Sequence, residues 1–430
     1  MSIEAIATLL LIVVFISLVA LRVPMVYAVG FATLITNLYL KIDLMMMAQS
    51  VIKNINVYTL LAVPFFILAG DIMGAGGITN RLIDLSKALV GWFRGGLAMV
   101  NIVASIFFGG ISGSSSADTA SIGPILIPMM EKEGYDKDFS TCVTMASSVQ
   151  GILIPPSQNM VIFSLAAGGI SIGKLFMAGY VPGILLAVCL MIYSYYVSVK
   201  RNYPISTSFS MKHVCRSFKS AIWGLITVLI VVVGVVAGVF TATESAAAAV
   251  AWALFVGVFI YKEISVKQIG RILGKTVDMI ARILILMGTS GAFGWLLTYL
   301  RIPEKVASAV FSVTDNRILI LILLNILLLI LGMLVDMASI ILIITPIILP
   351  IVTKIGMDPV HLGVVMILNL GIGLLTPPVG TTLFIGSAIS DIKIEKLAKS
   401  MIPFYVVMVA VLLIITYFPS VVMTIPNILY

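Results

Sequence analysis

Residues 124–156 read PILIPMMEKEGYDKDFSTCVTMASSVQGILIPP, and residues 346–378 read PIILPIVTKIGMDPVHLGVVMILNLGIGLLTPP. Pro124, Pro128, Gly134, Asp136, Gly151, Pro155 and Pro156 of the first stretch match Pro346, Pro350, Gly356, Asp358, Gly373, Pro377 and Pro378 of the second, each 222 residues on and without a gap. A register kept that strictly marks an internal duplication. Proline and glycine interruptions at matching places in two apolar halves point to the binding site of a membrane transporter.

The surrounding composition fits that reading. Of 430 residues, 61% are hydrophobic and only 10% charged, which excludes a soluble domain. Apolar runs of roughly 20 residues, the length that spans a bilayer, fill the chain from Ala5–Leu21 to Phe404–Ile415. The expected class is an all-α polytopic membrane protein. Glu4 stands where a signal peptide carries basic residues, and no small-residue cleavage site precedes Arg22, so the first run reads as a retained helix. The net charge of +8 reports orientation in a lipid bilayer rather than a nucleic-acid partner. Cys142, Cys189 and Cys215 are odd in number and lack metal-ligand spacing, and His213 and His361 are the only histidines, so neither a disulfide framework nor a zinc site is expected.

Charge then sets the topology. The basic segments 200–219 and 262–275 flank two apolar runs, 220–240 and 242–261, and so face the same side, which the positive-inside rule makes cytoplasmic. Counting from there, helices at 5–22, 24–40 and 57–75 lead to an arm at 78–93, a re-entrant hairpin at 96–131, an interrupted helix at 138–170 and a full one at 174–199. Helices at 220–240, 242–261 and 277–297, an arm at 298–316, a hairpin at 317–353, an interrupted helix at 360–390 and a last span repeat the programme. Each half has three spans before its hairpin and two after, so the second half is expected to be inverted relative to the first. The units are then 1–199, a cytoplasmic linker at 200–219, and 220–430, with both termini outside.

The first hairpin carries GGISGSSSADTAS (Gly109–Ser121), and the second carries GMLVDMAS (Gly332–Ser339). Irregular backbone at membrane depth survives only where protein or a watery cavity surrounds it. An unwound tip offers carbonyls to a cation and amides to an anion. Ser112, Ser114, Ser115 and Ser116 add neutral oxygens, and Asp118 and Asp336 add charges that lipid would not tolerate. The alternative for the first tip is a small-residue packing face. Asp336 aligns with Ser114 at the fixed offset, so the two acids are not equivalent. Paired prolines in GILIPPS (Gly151–Ser157) and TPP (Thr376–Pro378) should open both helices, freeing carbonyls near Gly151, Ile154, Gly373 and Thr376. Ser157, Asn159, Thr381 and Thr382 favour a polar site there; a simple kink is the blander reading.

Other ionisable groups say less. Asp278 and Arg282, four apart on one helix, are expected to pair with each other. Glu244 reads as a neighbour of a helix cap. Arg301, at the edge of the second arm, is either a surface arginine or a cation able to hold a carboxylate bidentately. GISG (Gly110–Gly113) is the nucleophile signature of intramembrane serine proteases, yet neither histidine is expected at membrane depth to serve it.

In FFGGISGSSSADTASIG (Phe107–Gly123), VPFFILAGDIM (Val63–Met73), GILIPPS (Gly151–Ser157), TATESAA (Thr241–Ala247) and GLLTPPVGTTLF (Gly373–Phe384), the chain resembles the large membrane subunit of tripartite ATP-independent periplasmic (TRAP) transporters. The resemblance covers essentially the whole sequence. It implies an ion-transporter-superfamily fold of elevator type, with two inverted repeats, two re-entrant hairpins and two broken helices. It implies sodium-coupled uptake of an organic acid across the bacterial inner membrane, a small four-helix membrane subunit, and a periplasmic substrate-binding protein. On it, Ser112, Gly113, Ser114, Gly151 and Pro155 would hold one Na+, and Gly332, Asp336, Gly373, Thr376 and Thr381 another. Ser112, Ser114, Asp118, Asn159 and Arg301 would meet the substrate, and the serine-rich tip favours a sialic acid over a C4-dicarboxylate. The competing readings are a sodium/dicarboxylate symporter that needs no binding protein, an intramembrane serine protease, and a passive channel.

Overall fold

A computed structural model describes residues 3–21 and 23–430, and no β-strand forms among them. The end expected for the first helix at Arg22 lies outside the described residues. The first half contains α1 (Ile3–Ala20), α2 (Met25–Tyr39), α3 (Leu44–Ile55), α4 (Ala62–Ala75), α5 (Ile78–Val90), α6 (Gly96–Ser112), α7 (Ser115–Lys132), α8 (Lys137–Leu153), α9 (Gln158–Ala166) and α10 (Ile172–Lys200). The second contains α11 (Met211–Val236), α12 (Ala242–Phe255), α13 (Val266–Tyr299), α14 (Ile302–Val313), α15 (Arg317–Leu334), α16 (Met337–Lys354), α17 (Pro359–Gly373), α18 (Thr381–Ser390) and α19 (Ile394–Tyr417), followed by α20 (Pro419–Leu429). Nine helical stretches among the described residues are long and apolar enough to cross a membrane.

The 222-residue offset holds for elements as well as for residues. Adding it to the bounds of α7 gives those of α16, and α6, α8, α9 and α10 fall within a few residues of α15, α17, α18 and the start of α19. Both hairpins and both broken helices are therefore present in the same chain order. The breaks fall at the expected prolines, and each contains a cis peptide, Pro155–Pro156 and Pro377–Pro378.

Three expectations are corrected. Residues 262–275 are not a loop: Ser265 caps α13 and accepts from the Gln268 amide, while the Gln268 side-chain oxygen accepts from the Ser265 amide at 2.7 Å. That reciprocal cap carries the helix back to Val266. At the same register Asp43 caps α3, a helix absent from the expected topology, by accepting from the Met45 amide at 2.9 Å. In the first half, however, the chain breaks after α3 into a short 3-10 turn at Tyr58–Leu61, whereas α13 continues unbroken. The basic linker is also shorter than 200–219, because α11 begins at Met211.

The core centres on α8 and α17. Every residue of α8 from Phe139 to Leu153 and of α17 from Val360 to Gly373 is buried. Gly371 of α17 faces Val149 and Ile152 of α8 so closely that a methyl group would sit 2.5 Å from the Ile152 side chain. Buried polar groups need partners, and of the α8 hydroxyls those of Thr144, Ser147 and Ser148 bond across helices, while Ser140 and Thr141 donate to carbonyls one turn back. Asn101 donates to Thr144 at 2.6 Å, Ser105 and Ser147 share a bond of 3.0 Å, and Ser115 and Ser148 one of 2.6 Å. In the second half Asn369 donates to the Asn325 side chain at 2.9 Å, and Asn325 to Thr416 at 3.2 Å. Each hairpin is thus bolted to the broken helix behind it.

Candidate functional site

The unwound tips are narrower than the glycine- and serine-rich sequence suggests. Helix α6 runs to Ser112, Gly113 takes a left-handed φ of 57°, and Ser114 caps α7 by accepting from the Ala117 amide at 3.4 Å. Ser115, Ser116 and Asp118 consequently lie in the first turn of α7, not in an open loop. At the second tip Asp336 caps α16 by accepting from the Ser339 amide at 3.3 Å. Ser114 and Asp336 are equivalent by register, and so are the amides of residues 117 and 339. One cap is a neutral hydroxyl and the other a carboxylate at the same place in a duplicated turn.

Each tip presses on the break behind it. A Cβ on Gly109 would lie 2.0 Å from the Gly151 Cα, and one on Gly373 would lie 2.5 Å from the Gly332 carbonyl carbon. Gly113 is wedged against Pro156, Ser157 and Gln158, and Asn159 donates to its carbonyl at 3.3 Å. In the second half the Val379 amide donates to the Met333 carbonyl at 3.1 Å. Only glycine permits backbones to approach this closely.

The two halves meet at the N-termini of α7 and α18. Thr382 shares hydrogen bonds with Ser116 at 3.1 Å and with Ser115 at 3.3 Å. Beside this contact lies a cavity of about 490 Å³ whose lining includes Ser114, Ser116, Asn159, Arg282, Asp336 and Thr381. Both tips and both broken helices contribute to it. Ser112 lines a neighbouring cavity of about 430 Å³, which Ser114 also borders, together with Asp71 and Lys275. Asp118, Gly113, Gly151, Pro155, Gly332 and Gly373 are buried behind these surfaces, and Thr376 is half-buried, its hydroxyl spent on the Ile372 carbonyl at 2.8 Å.

Around the first tip several buried acceptors are unpaired. Both oxygens of Asp118, the Ser157 hydroxyl and the Gln158 side-chain oxygen lack a hydrogen bond. No backbone amide among the described residues closes onto the carbonyls of Ile154, Pro155 or Pro156. Oxygen acceptors without donors at this depth suit a hard cation. The second break has fewer free carbonyls: Thr382 donates to Leu374 at 3.1 Å, Gly380 to Thr376 at 3.2 Å, and the Tyr405 hydroxyl to Leu375.

Arg301 does not join the group. It is exposed at the α13–α14 junction, with a left-handed φ of 51°, and borders neither cavity. Arg282 does border the central one, and it forms no ion pair with Asp278. The spacing of those two residues shows only that they share a helix face; the packing of α13 against the tips decides what that face meets. Glu244 behaves as expected, completing a reciprocal cap with Thr241.

A bundle of membrane-length helices, with two hairpin tips and two broken helices converging on one hydroxyl-lined cavity, has the build of a helical membrane transporter. Its fold is shared with the YdaH transporter of Alcanivorax borkumensis, at a TM-score of 0.64 over 86% of this chain and 87% of that one, with 13% identity. The model of the family "Tripartite ATP-independent periplasmic transporter, DctM component" matches residues 12–421, and the chain belongs to that family. It is 36% identical to the sialic acid TRAP transporter large permease protein SiaM of Vibrio cholerae, over 88% of this chain and 89% of the relative. It is also 36% identical to the C4-dicarboxylate TRAP transporter large permease protein DctM of Pseudomonas aeruginosa, over 86% of each. The protein is a multi-pass permease component, not an enzyme, so the GISG motif is part of a transport hairpin and not a protease nucleophile.

Proposed function

We propose that this chain takes up an organic acid, a sialic acid or a C4-dicarboxylate, by coupling its entry to the inward flow of sodium ions. The observation that carries the reading is the convergence of Ser114, Asn159, Asp336 and Thr381, from both tips and both breaks, on one cavity. Sodium enters here as cargo. Ser112, Gly113, Ser114, Gly151 and Pro155 would hold one ion beside the unpaired acceptors of the first tip. Gly332, Asp336, Gly373, Thr376 and Thr381 would hold a second. Ser114 and Asn159 in that cavity and Ser112 in its neighbour would meet the substrate, with Asp118 buried directly behind them. A bound anion needs compensating positive charge before it crosses a low-dielectric surround, and the ions supply it.

The two halves would be inverted in the inner membrane about the short basic linker between α10, which ends at Lys200, and α11, which begins at Met211, with both termini periplasmic. The hairpins and broken helices would then move as an elevator. A small four-helix membrane subunit and a periplasmic binding protein that delivers the acid complete the machine, as the family's tripartite name suggests.

The test is uptake by proteoliposomes containing the chain with both partners. Replacing external sodium by potassium should abolish accumulation, and Asp118→Asn should do the same while leaving assembly with the small subunit intact. Sodium-independent accumulation would defeat the coupling. Uptake without any soluble protein would favour a stand-alone symporter.

A further inference from the structure

Arg282 lies near the middle of the 34-residue helix α13 and, among the described residues, is the one lysine or arginine lining the central cavity. Its side chain is exposed and takes part in no ion pair, hydrogen bond or ring contact among the described residues. Asp278, one turn away on the same helix, does not reach it. Asp336, across the same cavity, is occupied with the Ser339 amide and hydroxyl at 3.3 and 3.4 Å. A free guanidinium at membrane depth is costly and marks a functional site by default. If Asp336 serves a sodium ion, the charge of Arg282 is left for an anion.

We propose that Arg282 binds the oxyanion head of the transported acid in the central cavity, its planar fork matching a carboxylate with two parallel hydrogen bonds. The inference rests on the function proposed above and supplies that site with the cation Arg301 does not provide. Helix α13 extends the argument along its length. Lys275, Met279 and Arg282 recur at helical spacing on one face, and Met279 borders both cavities. Lys275 lines the second cavity, about 10 Å further along the helix, where Asp71 holds it at 3.3 Å. An anion leaving Arg282 through that cavity meets a second cation on the same helix.

The experiment uses the purified full-length chain in nanodiscs with sodium present, titrated separately with sialic acid and with succinate while its melting temperature is followed. At least one acid should stabilise the native chain. Arg282→Gln should raise the concentration for half-maximal stabilisation at least about tenfold, the loss expected for a charge-assisted bidentate contact. Arg282→Met, which keeps length and removes charge, should do the same. Equal midpoints in native chain and variants overturn the role of Arg282 and leave the proposed function standing. A native chain that answers to neither acid defeats the organic-acid reading, and this inference with it. Failure of both variants to fold marks Arg282 as structural and also overturns the proposal.

Discussion

The two hairpin tips share a backbone and differ in chemistry. Tip one is capped by a hydroxyl, Ser114, and keeps its acid one turn further on at Asp118, buried and without a hydrogen bond. Tip two is capped by the acid itself, Asp336, and the register partner of Asp118 is Ile340. The breaks differ in step: four residues, Ile154–Ser157, separate α8 from α9, whereas seven, Leu374–Gly380, separate α17 from α18 and are stitched by their own amides. Duplication preserved the paired prolines in register and a glycine-on-glycine approach shifted by one residue along the hairpin, Gly109 on Gly151 and Gly332 on Gly373, and let the donor atoms diverge. Two unlike polar sites thereby arise from one module.

If the shared backbone contact is the essential element, breaking it in either half should have the largest effect. Gly109→Ala and Gly373→Ala both drive a methyl group into backbone atoms, at 2.0 and 2.5 Å, where no side chain can move aside. Both should abolish uptake and destabilise the chain by roughly 1–3 kcal/mol or more. Gly270→Ala, with nothing within 4 Å, should leave uptake unchanged. Tolerance of one of these two variants and not the other, read by uptake and melting temperature, would show that the two contacts are not equivalent.

Exchanging the caps probes the chemistry rather than the frame. Serine caps a helix about as well as aspartate, so Asp336→Ser should keep folding stability within about 0.5 kcal/mol. It should nevertheless raise the sodium concentration for half-maximal uptake at least about tenfold, by removing a full charge from the second ion site. Ser114→Ala, by contrast, should cost about 1 kcal/mol as a lost cap. An Asp336→Ser chain with native sodium dependence would mean that the carboxylate is only a cap.

Much of this frame was legible because proline and glycine act through the backbone, where sequence speaks most directly. The breaks at Pro155 and Pro377 and both hairpins follow from residues that cannot continue a helix or that permit close approach. Helix α3 and the first turns of α13 went unread because charged and methionine-rich stretches look like linkers unless the caps are noticed, Asp43 in one and the Ser265–Gln268 pair in the other. The cross-helix hydroxyl bonds of α8 and the cavity position of Arg282 had no local signal at all. They depend on which helix packs alongside, and a residue's own neighbours in sequence do not report that. Arg301 shows the converse: adjacency to a small-residue run suggested a cavity wall, yet the turn into α14 leaves it exposed.

The smallest difference lies at the far ends of the hairpins. Asp136 and Asp358 are register partners that open α8 and α17, but only Asp136 takes on a tertiary load. Its carboxylate accepts from Tyr203 at 2.7 Å and from Arg201 at 2.6 Å, while Asp358 caps its own helix through the Val360 amide at 2.7 Å. The Tyr203 hydrogen bond, with help from Arg201, holds the Asp136 carboxyl below the usual carboxylate range. A depressed folded value means the contribution is present above the unfolded value, about 3.9, and is lost as pH falls through the folded one. Because the Asp136 side chain is 56% exposed, solvent screening keeps the effect under about 1 kcal/mol. Asp136→Asn should therefore lower the melting temperature slightly at pH 7, and the gap from the native chain should close under acid conditions. A gap that persists unchanged below pH 3.9 would assign the loss to altered packing of Tyr203 and Arg201 rather than to charge.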